Sequence, residues 1–151
     1  MGYWDIEILS YWSCFFKNIL NLSLYARKFT FGRFGYLQQA LEIGECVWSL
    51  VVKWEYFSKK TVGAQFVKAA DSMASNISEG YGCYFYKDRK QFYYYSRGSL
   101  LETKTWATKS FNRALISKEE FDALIEKLKT LHFKLNNYIK KLKRTTESQN
   151  I

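Results

Sequence analysis

The chain contains no proline. No position is barred from a helix interior by a missing N–H or a ring clash, which suits an all-helical chain and not a loop-rich one. Histidine is nearly absent, with His132 the single one, and cysteine is limited to Cys14, Cys46 and Cys83, far apart and without a C-x-x-C pair. These scarcities exclude a zinc site and a disulfide framework and point to a reducing cytoplasm. Gly80, Gly82 and Gly98 do not make a phosphate loop, since no G-x-x-x-x-G-K run exists and no strand precedes them. No nucleophile–base pair, metal cluster or cofactor loop is present. The chain therefore reads as a non-enzyme with no metal, no cofactor and no small-molecule substrate.

A long uncharged apolar run is also missing. Residues 8–25 come nearest, but they include Lys17, Asn18, Asn21 and three serines, whereas a membrane span needs roughly 20 nearly uncharged apolar residues. A secretory signal carries basic residues before its apolar stretch, and here Asp5 and Glu7 come first. A membrane partner is not expected. Residues 1–33, rich in aromatic and aliphatic side chains, match nothing in the periodic body that follows. They read as an atypical extension: an extra amphipathic helix or an over-extended start of the reading frame.

What is present in excess is positive charge. Lys and Arg number 23 against 14 Asp and Glu, for a net +9. Such a balance favours polyanionic partners, RNA or DNA first among them. The excess is uneven. Residues 83–116 hold seven Lys/Arg against two Asp/Glu, residues 117–151 eight against five, and residues 34–82 four against five.

Apolar periodicity predicts four helices. Leu37, Ala40, Leu41, Gly44, Val47, Trp48 and Val51 mark the first, over 35–57. Ser58, Lys59, Lys60 and Thr61 read as a polar turn, with Thr61 capping a second helix over 62–81. Its stripe is Val62, Phe66, Ala69, Ala70, Met73, Ile77 and Gly80, and Gly80 and Gly82 supply a stop. The third helix starts near Asp88, with Gln91 at capping-box distance, and runs to Arg113. Its expected inner face is Phe92, Tyr95, Ser99, Thr103, Trp106 and Ser110. The fourth opens on a capping box of Ser117 and Glu120 and a staple of Ile116 and Phe121. It continues as a heptad seam through Leu124, Leu128, Leu131, Leu135, Tyr138 and Leu142. Short connections favour antiparallel neighbours, so residues 34–144 are expected to form an antiparallel up-down-up-down four-helix bundle, with a frayed tail over 145–151.

Two runs depart from a simple core: Ala70-Asp71-Ser72-Met73-Ala74-Ser75-Asn76-Ile77-Ser78-Glu79-Gly80-Tyr81-Gly82 and Tyr95-Ser96-Arg97-Gly98-Ser99-Leu100-Leu101-Glu102-Thr103. Together they resemble the bacterial 23S rRNA intervening-sequence proteins and the related accessory variability determinant of diversity-generating retroelements. Ala74 stands where that pattern has proline, Ser78 where it has alanine, and Lys104 where an acidic residue is common. The resemblance implies a four-helix bundle without known catalytic activity that assembles into a ring-like homopentamer. For the retroelement branch it implies binding to a reverse transcriptase and to nucleic acid.

The motif residues themselves suggest structural roles. Asn76 falls at the edge of the apolar stripe, so its amide needs partners, expected across helices or subunits. Glu79 is expected to pair with a cation of another helix, and within the matching motif Glu102 is the only candidate that could join it in acid–base chemistry. Gly98 is expected to admit a close helix, and Leu101 to face outward. Cys83 reads as a free thiol and His132 as a flank residue. Lys90, Arg97 and Lys104 repeat every seven residues and are placed opposite the inner face, with Tyr94 and Leu101 beside them. That face fits a subunit neighbour. It also fits nucleic acid, with bases on Tyr84, Phe85, Tyr86 and Tyr94 and phosphates on Lys87, Arg89 and Lys90. Lys140, Lys141, Lys143 and Arg144 offer a second basic edge and also complement the helix dipole. Two functions remain open: an oligomeric scaffold that binds nucleic acid, or a protein adaptor, such as a reverse-transcriptase accessory subunit, whose charge only aids solubility.

Overall fold

A computed structural model describes the backbone over residues 35–148 and the side chains over 35–142. The chain divides into two units, Met1–Gly35 and Tyr36–Ile151. The extension at 1–33 lies outside the described residues, and so do residues 149–151 of the tail. The described residues are helical, with no strand among them.

Helix α1 spans Gly35–Val51 and buries Leu37, Ala40, Ile43, Gly44, Val47, Leu50 and Val51. It stops six residues before the expected end. Its last turn tightens through Lys53 N–H to Leu50 C=O (3.3 Å) and Trp54 N–H to Val51 C=O (3.0 Å), and Trp54 swings inward to stack on Phe66 at 6.3 Å. Burying an indole outweighs the polar turn that the sequence offered at Ser58–Thr61. That stretch is helical instead. Thr61 does not cap; its hydroxyl donates back to Phe57 C=O at 2.7 Å.

Helix α2 is assembled from three consecutive pieces: a single turn Tyr56–Ser58, a π-helical turn Lys59–Gly63, and the α-helix Ala64–Gly82. All seven residues of the expected stripe, from Val62 to Gly80, are buried. Gly63 is needed where α2 closes on α1: a Cβ there would lie 2.5 Å from Val51 Cγ1. Further along, a Cβ at Gly44 of α1 would lie 2.8 Å from the Asp71 carboxylate, and burial pushes that carboxyl above its usual range.

Helix α3 spans Tyr86–Asn112. Phe85 precedes it without a side-chain cap, and Asp88 lies within the first turn. The expected capping box is therefore absent, and Asp88 complements the helix dipole instead. The buried positions are Tyr93, Ser96, Leu100, Thr103, Ala107 and Ser110. Thr103 and Ser110 match the expected face; Phe92, Ser99 and Trp106 are half-buried and Tyr95 is exposed. The inner face is rotated by about 60° from the expected one, at 100° per residue. The buried polar groups are satisfied locally or across to α2. Thr103 donates to Ser99 C=O, Ser110 to Trp106 C=O, and Ser96 Oγ to Met73 C=O at 2.9 Å.

The C-terminus of α3 turns on Ala114, whose φ of 54° is left-handed. Leu115 N–H bonds Ser110 C=O and Ala114 N–H bonds Phe111 C=O, both at 2.9 Å, the pair of bonds that defines a Schellman ending. Helix α4 spans Lys118–Ser148. The capping box forms as expected: Ser117 N–H donates to Glu120 Oε2 at 2.8 Å, and Glu120 N–H to Ser117 Oγ at 3.2 Å. Leu124, Leu128, Leu131, Leu135, Ile139 and Leu142 are buried along its seam. Phe121 stacks on Phe111 with centroids 4.8 Å apart, where α3 hands over to α4.

Candidate nucleic-acid interface

The site grows from the connection between α2 and α3. Helix α2 ends at Gly82, and Cys83 and Phe85 are both extended (ψ 132° and 137°). No glycine in the described chain has positive φ, so neither Gly80 nor Gly82 ends the helix by a left-handed turn. Gly80 does other work. A Cβ there would lie 2.9 Å from Tyr93 Cε2 and 3.0 Å from Phe92 Cβ, so this glycine is what lets α2 and α3 approach. The role expected of Gly98 belongs to Gly80. Gly98 itself is exposed, and a Cβ there or at Gly82 would meet nothing within 4 Å.

This connection throws two rings outward. Tyr84 is 88% exposed and Phe85 65%, packed edge to face with centroids 5.1 Å apart. Behind them Arg89 closes the turn. Its Nη2 donates to Cys83 C=O at 2.8 Å, and its guanidinium lies 5.4 Å from the Tyr86 ring centre. Arg89 is thus committed to the turn rather than offered to a ligand. Lys87 is exposed and Lys90 half-buried.

Further along α3, a tyrosine cluster joins it to α4 and to the start of α1. Tyr93 is fully buried, its ring centroid 4.6 Å from Tyr138. Tyr36 of α1 joins them, 5.2 Å from Tyr138, with its hydroxyl 3.3 Å from that of Tyr93. Burial pushes the Tyr93 hydroxyl up to about 12 and raises Tyr36 still more, burial first and then the bond to Tyr93. The pairing of Tyr93 with Tyr138 and of Arg97 with Asn136 (3.1 Å) sets the register of α3 on α4. Lys140 and Lys141, both exposed, follow Tyr138 within one turn of α4. Lys143 and Arg144 continue α4, with side chains outside the described residues.

The Lys90–Arg97–Lys104 repeat is not opposite the core. With the true inner face at Tyr93, Ser96, Leu100 and Thr103, the repeat lies on the flank toward α4, about 90° from the core direction. Arg97 spans that flank, donating to Asn136 Oδ1 while lying 5.0 Å from the Tyr94 ring centre. Lys104 is exposed, Tyr94 half-buried and Leu101 49% exposed. The motif residues lie elsewhere, between α2 and α3. Asn76 is half-buried and donates to Ser72 C=O (2.7 Å) and to Ser99 Oγ (3.4 Å). Glu79 accepts from Ser75 Oγ on its own helix at 3.1 Å, in place of the expected cross-helix ion pair, and Glu102 accepts from Trp106 Nε1 at 3.3 Å. Short local donors already hold both carboxylates. Cys46 and Cys83 are free thiols, and His132 is half-buried.

Sequence reasoning did not find the clasp of Arg89 on Cys83, nor the partnership of Tyr36 with Tyr93 and Tyr138. The first depends on a backbone carbonyl, which no side-chain pattern reports. The second had one usable signal: Tyr138 already occupied a seam position.

Among the described residues no group of three His, Cys, Asp or Glu is placed to hold a metal, and no helix is long and apolar enough to cross a membrane. Four helices packed through buried apolar faces define a small helical-bundle protein. The chain belongs to the 23S rRNA-intervening sequence protein family, whose model matches residues 34–137. A solved structure from Bacteroides thetaiotaomicron, described as a protein of unknown function from the S23 ribosomal protein family, is similar with a TM-score of 0.64 and 18% identity. The match covers 70% of this chain and 98% of that one, and it shows the fold. No curated protein matches the chain.

Proposed function

We propose that this protein is a non-enzymatic, cytoplasmic, oligomeric scaffold that binds RNA or DNA through the basic, aromatic end of an antiparallel up-down-up-down bundle. The observation that carries the reading is the pairing of Tyr93 with Tyr138 and of Arg97 with Asn136, from which Lys140 and Lys141 of α4 are drawn toward Lys87 and Lys90 of α3 and the exposed rings of Tyr84 and Phe85. Helix order is supported by partners that recede along α3 as α4 advances, from Phe111 with Phe121 to Tyr93 with Tyr138. Self-association is supported by the outward face of α3, where exposed Leu101 lies beside an uncovered Gly98 in mid-helix. An uncovered apolar face favours a partner, and a mid-helix glycine costs about 0.5–1 kcal/mol relative to alanine. A ring of five follows from the family resemblance.

The binding test is a titration of mixed RNA and DNA at about 50 mM salt, repeated at higher salt. Affinity should fall steeply as counterion release predicts; no shift at the lowest salt rejects nucleic-acid binding. Light scattering on the same samples should exceed the 17.9 kDa of one chain, and Tyr94→Ser with Leu101→Ser should reduce the assembly. A monomer at micromolar concentration rejects the oligomer.

A second reading is favoured by one observation. Leu41, Trp48 and Val52 are exposed at helical spacing along α1 and just beyond it, an apolar stripe suited to a protein partner. On that reading the protein is an adaptor, such as an accessory subunit of a reverse transcriptase, and the basic end serves solubility.

A further inference from the structure

We infer that the basic end is a site for single-stranded nucleic acid, in which an unpaired base stacks on Tyr84 or Phe85 while flanking phosphates meet Lys87, Lys90, Lys140 and Lys141. This inference rests on the nucleic-acid reading and narrows its ligand. The reason is geometric. In a duplex each base hides both faces in the stack and shows only its edges to a protein. An unpaired base has a free face, and aromatic rings are the platforms that accept it.

Tyr84 and Phe85 are built as such a platform. They occupy a short connection between helices, not a helix that could enter a groove, and both rings are largely exposed to solvent. The fold does not need them there: α2 and α3 meet through Gly80 against Phe92 and Tyr93. What the fold does supply is rigidity. Arg89 ties Cys83 C=O at 2.8 Å from the first turn of α3, so the rings stand on a fixed base. Arg89 is accordingly a positioning residue. Lys87 and Lys90 come from α3, which leaves this turn, and Lys140 and Lys141 from α4, which packs on α3 through Tyr93 with Tyr138 and Arg97 with Asn136. Arg97 is held by Asn136 and Tyr94 and is not part of the site.

The test uses the full chain with two labelled probes read by fluorescence anisotropy at about 50 mM salt: an unstructured polypyrimidine strand and a blunt duplex of equal length. The wild type should favour the single strand. The double variant Tyr84→Ala, Phe85→Ala should weaken single-strand binding by roughly 5- to 100-fold and leave duplex binding within about twofold. Replacing Lys87, Lys90, Lys140 and Lys141 by Gln should weaken both probes and flatten the salt dependence, by about 0.7 in logarithmic slope for each phosphate of the single strand that is no longer neutralised. Circular dichroism confirms that these surface variants stay helical. If the wild type binds both probes equally, or the ring variant loses nothing on the single strand, the single-strand site is refuted while nucleic-acid binding stands. If neither probe binds, both readings fall.

Discussion

Ala114 holds a left-handed backbone conformation that glycine adopts with less strain. It sits at the position after the α3 cap where a Schellman ending requires positive φ, and Leu115 and Ala114 N–H groups bond Ser110 and Phe111 carbonyls around it. Removing the Cβ should relieve roughly 1–2 kcal/mol of local strain, offset by a gain in unfolded-chain entropy of about 0.4–1 kcal/mol. Ala114→Gly should therefore stabilise the protein by about 0.5–1 kcal/mol, raising Tm by roughly 2–4 °C. Thermal melts followed by circular dichroism check this, and an unchanged or lower Tm would count against strain at Ala114. The sequence carried no sign of this residue, because an alanine at a helix end looks like any helix former. The capping box at the start of α4 is the opposite case. Ser117 and Glu120 sit three apart before an apolar run, and the reciprocal bonds formed as that spacing dictates.

At the scale of elements, two helices were legible and one was turned. The stripe of α2 and the seam of α4 are built from large apolar residues, so amphipathic period alone locates their buried faces. Helix α3 is different. Its true core positions, Tyr93, Ser96, Leu100, Thr103, Ala107 and Ser110, alternate strictly by three and four. Half of them are small and polar, and the run Phe92-Tyr93-Tyr94-Tyr95 gives no contrast between faces. What decides the face is cross-helix fit: Tyr93 joins Tyr36 and Tyr138, and Ser96 reaches Met73. The same fit explains why Gly80 was read as a stop and proved to be a point of close approach. Gly80→Ala places a methyl against Tyr93 and Phe92 at about 3 Å, and overpacking of this kind costs about 1–3 kcal/mol. Denaturant unfolding should show a lowered midpoint with an unchanged m-value, whereas Gly98→Ala, open to solvent, should leave the chain as stable or slightly more so. Equal effects at the two glycines would contradict the assignment.

At the scale of the molecule, the tyrosine cluster links stability to pH. Tyr93 ionises near 12 when folded, against about 10 in an unfolded chain, and Tyr36 is raised as well. As pH rises from about 10 to 12 the unfolded chain gives up a phenolic proton that the folded chain keeps, so stability must fall across that window. Tm measured from pH 9 to 11.5 should drop accordingly, and Tyr93→Phe should flatten the drop. A wild-type curve no steeper than that of the variant would exclude the linkage. The basic end is also a property of the whole molecule. Composition placed positive charge in the second half of the chain, but the basic end we propose draws on two helices, with Lys87 and Lys90 from α3 and Lys140 and Lys141 from α4. No sequence window contains both.

The widened turn at Lys59–Gly63 bears on how relatives of this chain should be aligned and trimmed. A π-helical turn is how a helix accommodates one surplus residue without unwinding. Upstream of it, Trp54 faces Phe66; downstream, the stripe from Phe66 to Gly80 runs in regular α-helical phase. Losing one residue inside the turn would leave an ordinary α-helical turn with Trp54 still in its place, whereas losing one elsewhere in α2 would rotate everything before it by about 100° relative to everything after. The turn is thus the point where a length difference between homologues can be absorbed, and a gap placed anywhere else in α2 would misassign every buried position beyond it.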